Sequence, residues 1–329
     1  MAQTLTSALA DTHHVLALAG DIEAEELAIL AATRWKRVEQ ALGEIGLSRY
    51  SSLFGPYTVG AALGATLGLP RGLHQAWIAN TLTERGDPPF PGALDPTGIS
   101  RAFPTGLPLR EERRVVEFLV AAARRLGGVV RFFGSGLMVA PVPDGALDLS
   151  VFSSVWLEPE AALATGRSVV PRFQLAIDWH AFTPAEQPPV AETLGHPGYG
   201  LDPARRAEVL ADAAAGDAAA LASEPSLDRF ALTANLGPAG TLVIEISGVS
   251  QPPGALRDVP WAAEGAVQYA VRWIPLEPKN LLMEFPPAGH CQTRTQMANL
   301  LAGVARVIYQ TVGGEVLDSD GFPIDPTDL

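Results

Sequence analysis

Helical spacing governs the apolar positions of this chain before residue 127, and alternation governs most of those after it. Leu27, Leu30, Val38 and Leu42 recur at helical spacing across 21–45, and Asp21 stands where a side chain can cap the first turn. The segment TVGAALGATLGLP, 58–70, places Gly60, Gly64 and Gly68 four residues apart and predicts a short helix packed tightly on its neighbours. Glu111 opens another helix, with Val115, Val116, Leu119, Val120 and Leu126 on one stripe. A last helix near the C-terminus carries Met297, Leu300, Leu301, Val304, Val307 and Ile308.

Period two appears in 146–157, where Leu147, Leu149, Val151, Val155 and Leu157 share a face. It appears again in 172–180, where Phe173, Leu175, Ile177 and Trp179 oppose Gln174, Ala176, Asp178 and His180. Further strands are expected at 229–236, 240–249 and 265–274, with GPAG at 237–240 as a hairpin turn. Pro- and Gly-rich stretches at 84–109 and 183–201 interrupt the pattern. Asp202-Pro203 then opens an Ala-rich helix, a capping residue followed by proline at the first helical position.

Two segments share their punctuation. In 124–144 and in 309–328 an apolar-periodic helix runs into Gly-Gly, a short apolar stretch, a turn containing Gly and a second stretch ending at Pro. Setting Gly127-Gly128 on Gly313-Gly314, with one extra residue in the first copy, brings Gly136 onto Gly321, Val139 onto Ile324 and Pro141 onto Pro326. Gly-Gly suits a helix that ends in the left-handed region and releases a strand close beside it. The shared positions hold no His, Cys or pair of acids, so the repeat reads as scaffold. The fold class predicted is α+β, mostly antiparallel sheet flanked by helices. A mainly helical N-terminal region is expected over 1–105, and two related α/β halves over 106–185 and 186–329, which can form one compact domain.

Composition narrows the partners. The 329 residues carry a net charge of −13, which disfavours nucleic acid, whose affinity comes from Lys and Arg neutralising phosphates, and disfavours anionic membrane surfaces. The same charge steers a basic partner toward the chain. One cysteine, Cys291, forms no intrachain disulfide and no thiolate cluster. The start of the chain has no basic region ahead of its short apolar run, so a cytoplasmic protein is expected.

Chemistry-bearing residues are few. Asp178 and His180, two apart on a strand, point to one face as metal ligands do, and His196 or His290 is available as a third ligand. The bland alternative is the solvent face of a half-buried sheet. Cys291 follows His290 at a helix start, where the helix dipole favours a thiolate; an inert buried thiol is the alternative. DSDG, 318–321, has its Gly at the fourth place and fits a hairpin turn better than a calcium loop. Dinucleotide, phosphate-loop, zinc-protease and nucleophile-elbow motifs are all missing, and only Lys36 and Lys279 are lysines, so no cofactor is expected. Phe54, Tyr57, Phe90 and Tyr199 fall in stretches that read as loops and are candidate partner contacts. The expectation is a non-catalytic acidic protein, an adaptor or neutraliser binding a basic protein. The alternatives are a metal- or thiol-dependent hydrolase using Asp178 and His180 or Cys291, and a small-ligand binder.

Overall fold

The computed structural model describes residues 3–176 and 229–329, with Arg205 and Ala211 between them. It is an α+β protein built on two antiparallel sheets. The first half runs β1 (Gln3–Thr4), α1 (Ser7–Thr12), β2 (His14–Ala19), α2 (Ala24–Ala32), β3 (Glu39–Ala41), β4 (Glu44–Ser48), β5 (Ser51–Thr58), α3 (Ala61–Leu67) and β6 (Leu73–Asn80). It continues with α4 (Ile99–Ala102), α5 (Arg110–Leu126), β7 (Val129–Arg131) and β8 (Met138–Val139). The second half holds β9 (Leu149–Ser153), α6 (Pro159–Val169), β10 (Gln174–Leu175), β11 (Arg229–Asn235), β12 (Thr241–Val249), β13 (Ala266–Ile274), α7 (Ala288–Val312), β14 (Glu315–Asp318) and β15 (Pro323–Ile324).

The first sheet is ordered β3-β4-β5-β6-β2-β7-β8, with β1 added parallel to β5, and the second β10-β11-β12-β13-β9-β14-β15. Leaving aside the two-residue β1, the two paths are alike: the opening strand of each half, β2 or β9, is flanked by the strand before the long helix and the strand after it. In each half, that helix covers the sheet. Leu16, Leu18, Trp77 and Ala79 lie under the buried stripe of α5, Val115, Phe118, Leu119 and Ala122. Leu242, Ile244, Ile246, Tyr269 and Val271 lie under Leu301, Val304, Ala305 and Ile308 of α7.

The exit from the long helix is also alike. Gly127 and Gly313 follow the last helical residue with φ of 66° and 67°, where an L side chain is strained. The next glycine touches the opening strand. A Cβ on Gly128 would stand 2.5 Å from the Ala17 carbonyl of β2, and one on Gly314 would stand 1.9 Å from the Phe152 carbonyl of β9. Only a residue without a side chain lets the backbone pass so close. Each exit strand then folds back through Gly136 or Gly321, both at positive φ, into a two-residue partner strand. The turn at Asp318–Gly321 is a hairpin, in which the Asp318 carboxylate accepts from the Asp320 and Phe322 amides.

Several expectations need correcting. Residues 1–105 hold six strands and four short helices in place of a mainly helical region. The helix expected over 21–45 stops at Ala32. Leu42 is wholly exposed, and Gly43 beside it, at φ 79°, turns β3 into β4. Beyond Ala32, Trp35 and Val38 still pack on the first core, but from irregular chain and not from a helix. The glycines of 58–70 do not mediate tight helix packing: α3 buries no residue, and a Cβ on Gly60 meets nothing within 4 Å. Gly68 serves instead as the left-handed end of α3. The sheets part between Val139 and Leu149, whereas the sequence pattern placed its boundaries at 105 and 185. Among the described residues no helix is long and apolar enough to cross a membrane.

Candidate functional site

The connections from the sheet to the long helix, 81–109 in the first half and 275–287 in the second, occupy the same place in the strand order. Both are rich in proline, which withholds backbone donors and keeps them from joining the sheets. Both leave large apolar side chains in solvent: Leu82, Phe90, Leu94 and Leu109 in one, Leu276, Leu281, Leu282 and Phe285 in the other. They meet at an ion pair. Arg101, on α4, donates from Nε to Glu284 Oε2 at 2.9 Å and from Nη2 to Glu284 Oε1 at 2.6 Å. Its Nη2 also reaches the Met138 carbonyl at 2.9 Å, and its guanidinium lies 5.8 Å from the Phe285 ring centre.

A cleft of about 530 Å³ opens beside this pair, between the halves. Met138 and Val139 of β8 form one wall, and Leu147, Trp273, Leu281 and Phe285 form much of the rest. Two further arginines line it. Arg294, in the first turns of α7 and 6% exposed, donates from Nη2 to Asp144 Oδ1 at 3.1 Å. Asp144 also accepts from the Thr295 hydroxyl at 2.6 Å. Arg124, at the end of α5, is bonded through Nη1 to Asp320 of the last hairpin. The Nε atoms of Arg124 and Arg294 are buried and have no acceptor. Asp148 lines the cleft too. Burial pushes its carboxyl above the usual range, while Arg272 and the Trp273 amide pull the other way.

Behind the cleft, His290 stacks on Trp273 with ring centres 5.1 Å apart and planes at 29°. Burial, and then the Arg294 charge, hold this imidazole below its ordinary pKa, and its Nε2 has no partner. What the arrangement offers is apolar area, shape and fixed charge.

A second polar cluster lies inside the first half. Glu112 of α5 is fully buried and accepts from His14 Nε2 at 3.1 Å, from Arg85 Nη2 at 2.8 Å and from the Glu84 amide at 2.8 Å. The Phe133 amide donates to His14 Nδ1 at 3.0 Å, so the ring is neutral with its proton on Nε2. Burial lowers the His14 pKa, outweighing the hydrogen bond to Glu112, which would raise it. The Arg85 guanidinium lies 4.2 Å from the Phe103 ring centre. Four pieces of chain are thereby tied together: β2, α5, the first connection and the turn after β7. His14 sits at the start of the chain beside His13, and sequence reasoning passed it over. The signal available was its place at the head of an apolar run, VLALA, that is buried on both faces.

The residues singled out by sequence are dispersed. Asp178, His180, His196 and Tyr199 lie outside the described residues. His290 faces Trp273, whereas the half-buried Cys291 donates its thiol to the Pro286 carbonyl at 3.7 Å; the two are not bonded to each other. Phe54 and Tyr57 are not in a loop. They lie on β5, half-buried against the cluster that Leu5, Val59 and Leu69 form over the first sheet. Phe90 is 87% exposed in the first connection. Among the described residues no three His, Cys, Asp or Glu side chains gather as a metal site requires.

Comparison with known proteins adds no relative. No protein family, no curated protein and no solved structure matches the chain.

Proposed function

We propose that this chain is a non-catalytic interaction protein that binds a basic protein through the acidic surface of its second half. The reading is carried by one comparison. Residues 1–145 hold 14 acidic and 13 basic side chains, while 146–329 hold 22 acidic and 10 basic. Since the first half reaches the same strand order with balanced charge, folding does not require the acid of the second. A charge excess that the fold does not need costs stability through self-repulsion, and its use lies in solubility and in attracting an opposite charge. Glu158, Glu160, Asp258, Glu264, Glu277 and Glu315 are exposed on the second half. Nucleic acid and anionic membranes are not expected partners, for the same reason. We also take the two halves to be copies of one unit, on the strength of the shared strand order and the matched glycines.

The test is kinetic. A partner captured from native extract is titrated against the chain at rising salt, alongside a variant with Glu158, Glu160 and Glu264 changed to Gln. Exposed charges are screened within about 8 Å at physiological ionic strength, so the association rate should fall steeply with salt and fall again in the variant, while the dissociation rate changes little. A rate constant flat in salt and equal in both proteins defeats the reading.

A further inference from the structure

The cleft between the halves differs in electrostatic character from the surface that the proposed function uses. Its walls present three guanidiniums, Arg101, Arg124 and Arg294, against two carboxylates, Asp148 and Glu284, in a chain whose overall balance is strongly the other way. The counter-ions of Arg294 and Arg124, Asp144 and Asp320, do not line the cleft; they face a neighbouring depression. Glu284 is taken by both arms of Arg101, and Asp148, half exposed, lies 3.8 Å from Arg272. The rest of the wall is apolar and includes the indole of Trp273 and the side chains of Met138, Leu147 and Leu281.

Guanidiniums have five donors each, and here several go unused. Arg294 spends Nη2 on Asp144 and Arg124 spends Nη1 on Asp320, which leaves the second terminal nitrogen of each, Nη1 of Arg294 and Nη2 of Arg124, without a hydrogen bond among the described residues. A charged donor beside an apolar wall without an acceptor gains from one that arrives with a ligand, and gains most from an anion. An alcohol or amine brings weaker or opposite chemistry to the same place. The volume, about 530 Å³, is that of a site for a small organic molecule, lined mainly by apolar groups with a few convergent polar ones.

We infer that the cleft between the two halves binds a small apolar organic anion, an aliphatic or aromatic carboxylate or sulfonate, with its acidic group toward Arg124 and Arg294 and its apolar body against Trp273, Met138 and Leu281. The site goes beyond the protein-binding reading and stands or falls apart from it, because none of the exposed acids assigned to the partner surface is altered in its test.

The full chain is titrated with anilinonaphthalene sulfonate, an apolar anion whose fluorescence rises in an apolar site, and the bound probe is then competed with decanoate, decanol and decylamine. One probe should bind per chain, and decanoate should displace it at least about tenfold more readily than decylamine, a difference of about 1.4 kcal/mol. Leu281→Trp and Met138→Trp, which fill the cleft from its two walls, should each weaken the probe about tenfold or more while the circular dichroism stays that of the parent. Two variants are used because Met138, on a strand, tolerates a larger side chain less well than the exposed Leu281. Three results overturn the inference: no saturable binding, competition indifferent to the charge of the competitor, or folded cleft-filling variants that bind the probe as the parent does.

Discussion

In the first sheet β2 and β6 are buried on both faces: Leu16, Leu18, Trp77 and Ala79 in the core beneath α5, and Val15, Ala17, Ala76 and Ile78 beneath Leu5, α1 and α3. In the second sheet β12 and β13 bury Leu242, Ile244, Ile246, Tyr269 and Val271 on one face; the other carries Glu245, Ser247, Gln268 and Arg272, and is covered only along β13, where Ala266 and Ala270 are buried. The strand order is the same. What differs is the cover, and the cover is what the hydrophobic pattern reports. A strand buried on both faces reads as a continuous apolar run, HVLALA, and one buried on a single face alternates, TLVIEISGV. Equal topology therefore does not produce equal sequence periodicity, and a search for the two halves by pattern alone compares unlike things.

The largest effect tests whether the halves stand as one unit. Phe322, from the last hairpin of the second sheet, is fully buried in the core of the first, with its ring centre 6.3 Å from that of Phe118 and 5.4 Å from the Arg34 guanidinium. Truncating a buried phenylalanine costs about 3–5 kcal/mol. Phe322→Ala should lower the unfolding free energy by that amount and move a single transition, seen equally by probes in either half. Two transitions, with only the first-half probe affected, would make the halves separate folding units joined by a passive contact.

Much of the second half was legible for the same physical reason. The alternation in 229–274 located three strands to within a residue or so, and the stripe from Met297 to Ile308 lies on α7. In the first half the stripe of α5 was legible but the strands were not, since β2 and β6 have no period-two signal and β5 is broken by Gly55-Pro56. Gly-Gly was legible as a helix exit, but its second glycine is fixed by a contact distant in sequence, to Ala17 in one half and Phe152 in the other, which no local rule displays. The cleft escaped notice altogether. Its arginines, Arg101, Arg124 and Arg294, are nearly two hundred residues apart at the extremes and belong to no motif.

A middle-sized effect concerns the polar clusters, one in each half. Burial holds His14 and His290 below their ordinary pKa of 6.5, so as pH falls the unfolded chain takes up protons before the folded one. The stability they contribute is complete above about pH 6.5 and is lost from there downward through the folded pKa values, at no more than about 1.4 kcal/mol per pH unit for each ring. The two histidines differ in what protonation breaks. At His14 it displaces the Phe133 amide from Nδ1, whereas His290 has an unpartnered Nε2 and loses no hydrogen bond there. His14→Gln, which keeps a donor toward Glu112, should therefore flatten the fall in melting temperature between pH 6.5 and 5 more than His290→Gln does. Equal flattening by both would put the cost in burial alone, and no flattening by His14→Gln would mean that the ring stays neutral through that range.

The smallest effect bears on the open face of the second sheet. Arg272 of β13 lies there half exposed, its Nη1 3.2 Å from Glu245 Oε2 and its Nε 3.8 Å from Asp148 Oδ2, with Arg229 continuing the row beyond Glu245. Solvated ion pairs of this kind contribute about 0.2–1 kcal/mol, much of the attraction being offset by hydration and side-chain entropy. Arg272→Gln should change stability by about 0.5 kcal/mol, and raised salt should shrink even that. The contrast with the first sheet is what gives the small number its value. If this face were covered as Val15, Ala17 and Ile78 are covered, removing Arg272 would leave Glu245 and Asp148 uncompensated in a low dielectric, and the loss would approach the 3–5 kcal/mol of a broken buried pair. A loss above about 2 kcal/mol, unmoved by salt, would show that the stretch of β12 and β13 around Glu245 and Arg272 is buried on both faces in solution and that its alternating pattern has another origin.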